Sequence, residues 1–141
     1  IIFAKSINQL KQISQSWDPV IESIAEQFFP GPLTIIMPRS AALPNWINPE
    51  IDTIAMRIPA SPSVMKLLDD TEDELLLSSS ANLSGLNPVN NYQEALDQFT
   101  GKVDLILKPA VDEHLSGKAS TIISYLDSSI RVIREGALLI N

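Results

Sequence analysis

Cysteine is absent from all 141 residues, which excludes a disulfide framework, a thiolate metal site and a cysteine nucleophile, and suggests a reducing compartment. Histidine is nearly absent too. His114 is the only one, so a multi-histidine metal site is excluded, and Asp112-Glu113-His114 reads as a solvated loop rather than a ligand cluster. Serine-hydrolase chemistry is left without a partnered base. Neither G-x-x-x-x-G-K-[ST] nor G-x-G-x-x-G occurs, so a nucleotide bound here needs another geometry. Charges, prolines and asparagines interrupt every apolar run before membrane-spanning length, and the expectation is a soluble, cytoplasmic protein without a membrane partner. Positive charge is scarce as well. Ten Lys plus Arg face 17 Asp plus Glu, a net charge of -7 with a pI near 4.5, so nonspecific attraction to nucleic acid is not the main business.

What is present is enough to build a core. A mass of 15.5 kDa with 45% hydrophobic and 19% charged residues and a mean hydropathy of +0.11 fits one folded domain over 1-141. The chain opens on Ile1-Ile2-Phe3-Ala4, with no initiator methionine and no signal-peptide pattern. This reads as a buried strand entered midway, with the expectation that a longer polypeptide preceded it. Ser6 supplies an N-cap ahead of Leu10, Ile13 and Trp17 at helical spacing. Asp18 caps a second amphipathic helix running to Phe29, with Pro19 at its first position, and Pro30-Gly31-Pro32 stops it. Leu33 to Met37 reads as a buried strand and Pro38 to Pro49 as an irregular loop.

Asp52 to Ile58 alternates with a period of two, which places Thr53, Ala55 and Arg57 on one face and Ile54, Met56 and Ile58 on the other. Ser61 and Pro62 begin a further helix carrying Val64, Leu67 and Leu68. Leu75 to Leu77 is a short strand running into the loop from Ser78, and a helix follows from Tyr92 to Phe99. Val103 to Leu107, Ser120 to Ser124 and Ile130 to Arg134 read as strands, the last two joined by a turn at Asp127-Ser128. Strands alternating with helices predict an α/β domain.

The strongest local signal is Ser78-Ser79-Ser80-Ala81-Asn82-Leu83-Ser84-Gly85. Small residues let backbone N-H groups turn toward a ligand, and hydroxyls and an amide add donors, a cradle suited to phosphate or carboxylate. An ordinary strand-to-loop junction uses the same residues to satisfy its own backbone. Arg57 and Arg134 lie within predicted strands. They are either solvated on an exposed face or placed to grip anionic oxygens in a bidentate way.

Five segments in order, Phe29-Pro30-Gly31-Pro32-Leu33-Thr34, Thr53-Ile54-Ala55-Met56-Arg57-Ile58-Pro59, Ser79 to Gly85, Gly117-Lys118-Ala119-Ser120-Thr121-Ile122-Ile123 and Arg131-Val132-Ile133-Arg134-Glu135-Gly136-Ala137, together resemble the Sua5/YciO/YrdC family. The resemblance implies an open, twisted, mixed sheet with flanking helices, N-terminal strands being absent from it. It implies L-threonylcarbamoyladenylate synthase activity: L-threonine, bicarbonate and ATP give threonylcarbamoyl-AMP and pyrophosphate for the t6A37 modification of tRNA. ATP then enters as a substrate with Mg2+, and tRNA or other t6A-machinery proteins are the partners. By the same resemblance Thr53 and Arg57 contribute to the ATP and threonine sites, Ser80 and Asn82 to the nucleotide and substrate pocket, and Ser120 and Arg134 to nucleotide contact.

The sequence departs from the pattern in lacking the P-T-[DE]-T-x-Y-G-L and K-x-R-P motifs, and in carrying Ala119 for the usual Pro and Asn90 for a common Ser or Thr. About half of the family's pocket is thus expected in these residues, with weak adenine-nucleotide binding and no synthesis of threonylcarbamoyl-AMP by this chain alone. The competing reading is a catalytically inactive nucleotide- or RNA-binding module, which the acidic balance disfavours as a pure RNA binder. A third, a domain of a hydrogenase-maturation carbamoyl-transfer protein, requires further domains.

Overall fold

A computed structural model describes residues 1-110, 113 and 117-140. Six strands form one mixed sheet: β1 (Ile2–Ala4), β2 (Leu33–Pro38), β3 (Thr53–Arg57), β4 (Leu75–Leu77), β5 (Thr121–Leu126) and β6 (Ser129–Arg134). Their order is β4-β1-β3-β2-β5-β6. The pairs β1/β3 and β2/β5 are parallel and the other three antiparallel. Four helices accompany it: α1 (Ile7–Ile13), α2 (Pro19–Phe28), α3 (Pro62–Asp69) and α4 (Tyr92–Phe99). No helix among the described residues is long and apolar enough to cross a membrane.

The helix starts follow from their caps. Ser6 and Gln9 form a capping box at α1, and the Asp18 carboxylate accepts from the N-H groups of Val20 and Ile21 ahead of Pro19 at α2. These two helices pack Leu10, Ile13, Ile21 and Ala25 against Ile35, Met37, Ile54, Met56 and Ile123 of the sheet. Each fully buried leucine or isoleucine of this layer contributes about 1.5–3 kcal/mol relative to exposure. The core therefore occupies one face of the sheet. Period-two alternation leaves Phe3, Ala55 and Arg57 on the other, half-exposed.

Two expectations fail. Trp17 is not part of α1, because Ser14 already turns extended, bridges to Arg39, and Gln15 N-H donates to Pro38 O at 2.9 Å. Trp17 instead packs on the core from the connecting loop. Val103 to Leu107 is not a strand. Its alternating side chains Val103, Leu105 and Leu107 are 48%, 65% and 48% exposed, and the sheet ends at β4 and β6 with neither edge pairing to them. An apolar alternation becomes a strand only where a neighbour supplies the ladder.

Candidate anion-binding site

Arg57 ends β3 on the half-exposed face. Its Nε donates to Gly31 O at 2.9 Å, and its guanidinium lies 5.7 Å from the centre of the Phe3 ring, contributed by the adjacent β1. Burial pushes the guanidinium below its ordinary pKa, yet arginine stays charged throughout the accessible pH range. A half-buried cation whose two terminal nitrogens have no hydrogen-bond partner among the described residues is thus held in place. Gly31 does the holding: its N-H donates to Ile58 O at 2.9 Å, and a Cβ there would sit 2.3 Å from Phe28 O. Only glycine allows the loop between α2 and β2 to close so tightly on the end of β3.

One strand over, Thr34 lies level with Arg57, since the β2/β3 ladder runs from Pro38↔Thr53 to Ile35↔Met56. Thr34 Oγ1 and Ser120 Oγ are 2.8 Å apart, and both residues are buried. Arg134 completes this group. Its Nη2 donates to Ser120 O at 2.8 Å and Ser120 Oγ at 3.3 Å, and its Nε to the same carbonyl at 3.2 Å.

A register shift aims Arg134. From Leu126↔Ser129 to Ile123↔Val132 the β5/β6 ladder is regular, but Ile122 pairs with Arg134 rather than with Ile133. That extra residue turns Arg134 to the same face as Arg57; without it Arg134 would point to the opposite side. Gly136 then lets the chain fold back over Ala119 and Ser120, where a Cβ would meet Ala119 O at 2.4 Å and Ser120 O at 2.6 Å.

The structure thus brings Arg57, Ser120 and Arg134 to one end of the sheet. Thr53 shares their face at the other end of β3, about 13 Å away by strand rise. Ser80 and Asn82 lie beyond β4, where Ser80 is exposed and Asn82 half-buried. That loop is ordered by Val89 N-H to Ala81 O at 2.9 Å and Leu83 N-H to Gln98 Oε1 at 2.8 Å. The Asn82 amide nitrogen donates to Leu83 O and Leu86 O, but its Oδ1 is buried without a partner. A desolvated acceptor left unmade is costly unless a ligand donor meets it.

Asp112 and His114 lie outside the described residues. Glu113 corrects the solvated-loop reading, because its carboxylate accepts from the hydroxyls of Ser61 and Ser63 at the start of α3, which hold it below the usual carboxylate range. Among the described residues no group of three His, Cys, Asp or Glu is placed to hold a metal. Sequence reasoning gave no individual role to Gly31, Thr34 or Gly136, although a glycine between two prolines and one directly after Arg134-Glu135 were visible signals.

Charge distribution defines the site's chemistry. The sequence has four arginines against 17 acidic residues, yet the ion pairs of Lys5 with Asp69 and Glu74 and of Lys11 with Glu22 use none of them. Arg39 is consumed by carbonyls of the loop 40-52, those of Leu43, Pro44, Ile47 and Asn48. The remaining three, Arg57, Arg131 and Arg134, have no carboxylate partner among the described residues. In an acidic molecule these guanidiniums thus stand without internal neutralisation, the charge pattern of a candidate anion site.

A mixed-sheet α/β domain with arginines gathered at one end of the sheet is therefore the class that fold and site define. The family model for Sua5/YciO/YrdC, described as telomere recombination, matches residues 1–136. The chain belongs to the Sua5/YciO/YrdC family. It is 31% identical over 138 residues to a threonylcarbamoyl-AMP synthase of Pyrococcus abyssi, covering 98% of this chain and 40% of that protein. A threonylcarbamoyl-AMP synthase of Pseudoalteromonas translucida is 34% identical over 119 residues, 83% of this chain and 61% of that protein. The crystal structure of P. abyssi Sua5 complexed with L-threonine superposes with a TM-score of 0.85 at 29% identity, covering 97% of this chain and 39% of that one. The chain thus spans between two-fifths and about three-fifths of the length of these relatives.

Proposed function

We propose that this domain contributes the nucleotide half of a threonylcarbamoyl-AMP synthase site, which converts L-threonine, bicarbonate and ATP into threonylcarbamoyl-AMP and pyrophosphate, with loss of water. The observation that carries the reading is the set of unpaired guanidiniums beside the Thr34/Ser120 hydroxyl pair. Threonine is taken as the amine substrate because P. abyssi Sua5, similar over 97% of this chain, is complexed with it. In the reaction threonine's amine and bicarbonate form a carbamate, whose oxygen attacks the α-phosphorus and displaces pyrophosphate. Charge accumulates on phosphate oxygens in that step. Arg57 and Arg134 would stabilise it electrostatically, without a covalent nucleophile, because their bonds to Gly31 and Ser120 fix them beforehand.

Asn82 Oδ1 would offer an acceptor for a ligand N-H, and in this reading Ser80 and Thr53 would add hydroxyls toward the other end of the sheet. Mg2+ would enter on the triphosphate, since the described residues offer no carboxylate cluster for it. The product would pass to tRNA and the t6A machinery, and on that reading the protein would act in the cytoplasm. Isothermal titration with ATP tests the reading. Arg57→Ala and Arg134→Ala should each weaken binding about tenfold or more, the loss of a charge-assisted contact. Unchanged affinity in both variants would return these arginines to the role of solvated surface charges.

A further inference from the structure

Arg131 is the member of the arginine set with no role so far. It pairs with Ser124 in the β5/β6 ladder, and Ser124 pairs with Ile36 of β2, which pairs with Ala55 of β3. Directly paired residues project to the same side. Arg131 therefore stands on the face of Ala55 and Arg57. On a regular strand residues 131 and 134 would face opposite ways. The register shift after Val132 is what puts both guanidiniums on one side.

Arg131 is exposed, and its side chain has no hydrogen-bond or ion-pair partner among the described residues. Ser124 beside it is buried and polar. The three cations define a short track. From β3 to β6 is about 14 Å at ordinary strand spacing, and Arg131 to Arg134 is about 7 Å along the ladder, because their partners Ser124 and Ile122 are two residues apart. Three long side chains can converge on a chain of phosphates across this span, whereas a single phosphate would engage two of them at most. A duplex or folded RNA would need a wider basic surface than a molecule of net charge -7 offers here.

We propose that Arg131 is a third phosphate-binding residue, gripping the polyphosphate tail of the nucleotide beyond the Arg134 subsite; the inference rests on the nucleotide reading above. It makes a prediction that a surface arginine without a ligand would not. Arg131→Gln should weaken ATP about tenfold and inorganic tripolyphosphate by a similar factor, while AMP changes less than about twofold. Arg131→Lys should recover part of the loss through charge alone. The melting temperature should stay at the wild-type value, because no intramolecular bond is removed.

Titrations of ATP, AMP and tripolyphosphate into wild type, Arg131→Gln, Arg131→Lys and Arg134→Ala decide the matter. Equal ATP affinity in wild type and Arg131→Gln, with binding lost in Arg134→Ala, would overturn the role of Arg131 and leave the nucleotide reading standing. An equal loss of ATP and AMP in Arg131→Gln would also overturn it. Absence of ATP binding to the wild-type protein would overturn both.

Discussion

Replacing Gly136 by alanine should damage stability and ligand binding together. An added Cβ would sit 2.4 Å from Ala119 O, 2.5 Å from Ser120 C and 2.6 Å from Ser120 O. All three are backbone atoms, so no side-chain rotation relieves the contact, and the segment after β6 must withdraw. That movement stretches Gly136 N-H to Thr121 Oγ1 at 3.1 Å, Ala137 N-H to Ala119 O at 3.0 Å and Leu138 N-H to Thr121 Oγ1 at 3.0 Å. Overpacking costs about 1–3 kcal/mol, and losing one or two net hydrogen bonds adds about 1 kcal/mol each. A destabilisation of about 3 kcal/mol results, which lowers the melting temperature of a domain this size by about 10 °C. The same withdrawal pulls Arg134 from Ser120, so ATP affinity should fall beyond what destabilisation alone causes. Leu138→Ala is the control, because it removes packing from the same segment while keeping its backbone bonds. Calorimetry and ATP titration on both variants measure the two effects. A Gly136→Ala protein that melts within about 2 °C of wild type, or that loses stability while binding ATP normally, would refute the reasoning.

Thr34→Val should cost about 1 kcal/mol, the net worth of the buried Thr34/Ser120 hydrogen bond, and urea denaturation reads it directly. An unchanged midpoint would mean that this pair is not holding Ser120. Acid should destabilise the fold for a stated reason. Asp18, held down chiefly by the Tyr125 hydroxyl, and Glu22, held down chiefly by Lys11, both lie below the usual carboxylate range. A carboxylate with a depressed folded pKa stabilises fully above its unfolded value, about 4, and loses that contribution as pH falls through the folded value. Melting temperatures should therefore be insensitive to these groups near neutrality and decline below about pH 4. Asp18→Asn should shallow that decline, and an identical acid limb in the variant would remove Asp18 from the account.

Most of the fold was legible because local signals and burial agreed. Ser6, Asp18 and Ser61 capped the helices they were expected to cap, and the alternation of β3 placed Arg57 and Thr53 together. Asp127 and Ser128, with φ of 53° and 57°, make the tight turn expected between β5 and β6. Val103 to Leu107 misled because periodicity reports an apolar face but says nothing of whether a neighbouring strand exists. The candidate site was legible only residue by residue. Arg57, Ser120 and Arg134 could be marked as anion-binding types, but their convergence depends on the antiparallel β2/β3 and parallel β2/β5 pairings, which bring the start of β2, the end of β3 and the start of β5 to one end.

The role of Arg134 depends on one residue of register. A plain alternation through Ile130, Val132 and Arg134 would assign Arg134 to the core side and Arg131 to the other, separating the two guanidiniums. The shift between Ile122 and Ile123 reverses that assignment for Arg134 alone. Bulges bend and twist a strand and commonly re-aim one side chain beside a site. Here the consequence extends past the strand. Once Arg134 is turned toward Ser120, Glu135 and Gly136 must carry the chain back across Ala119, and only an absent side chain at Gly136 permits that approach. Bulge, arginine and glycine are therefore one device: the first aims the cation, the last seals the backbone behind it, and Ser120 ties both to Thr34 at the end of the sheet.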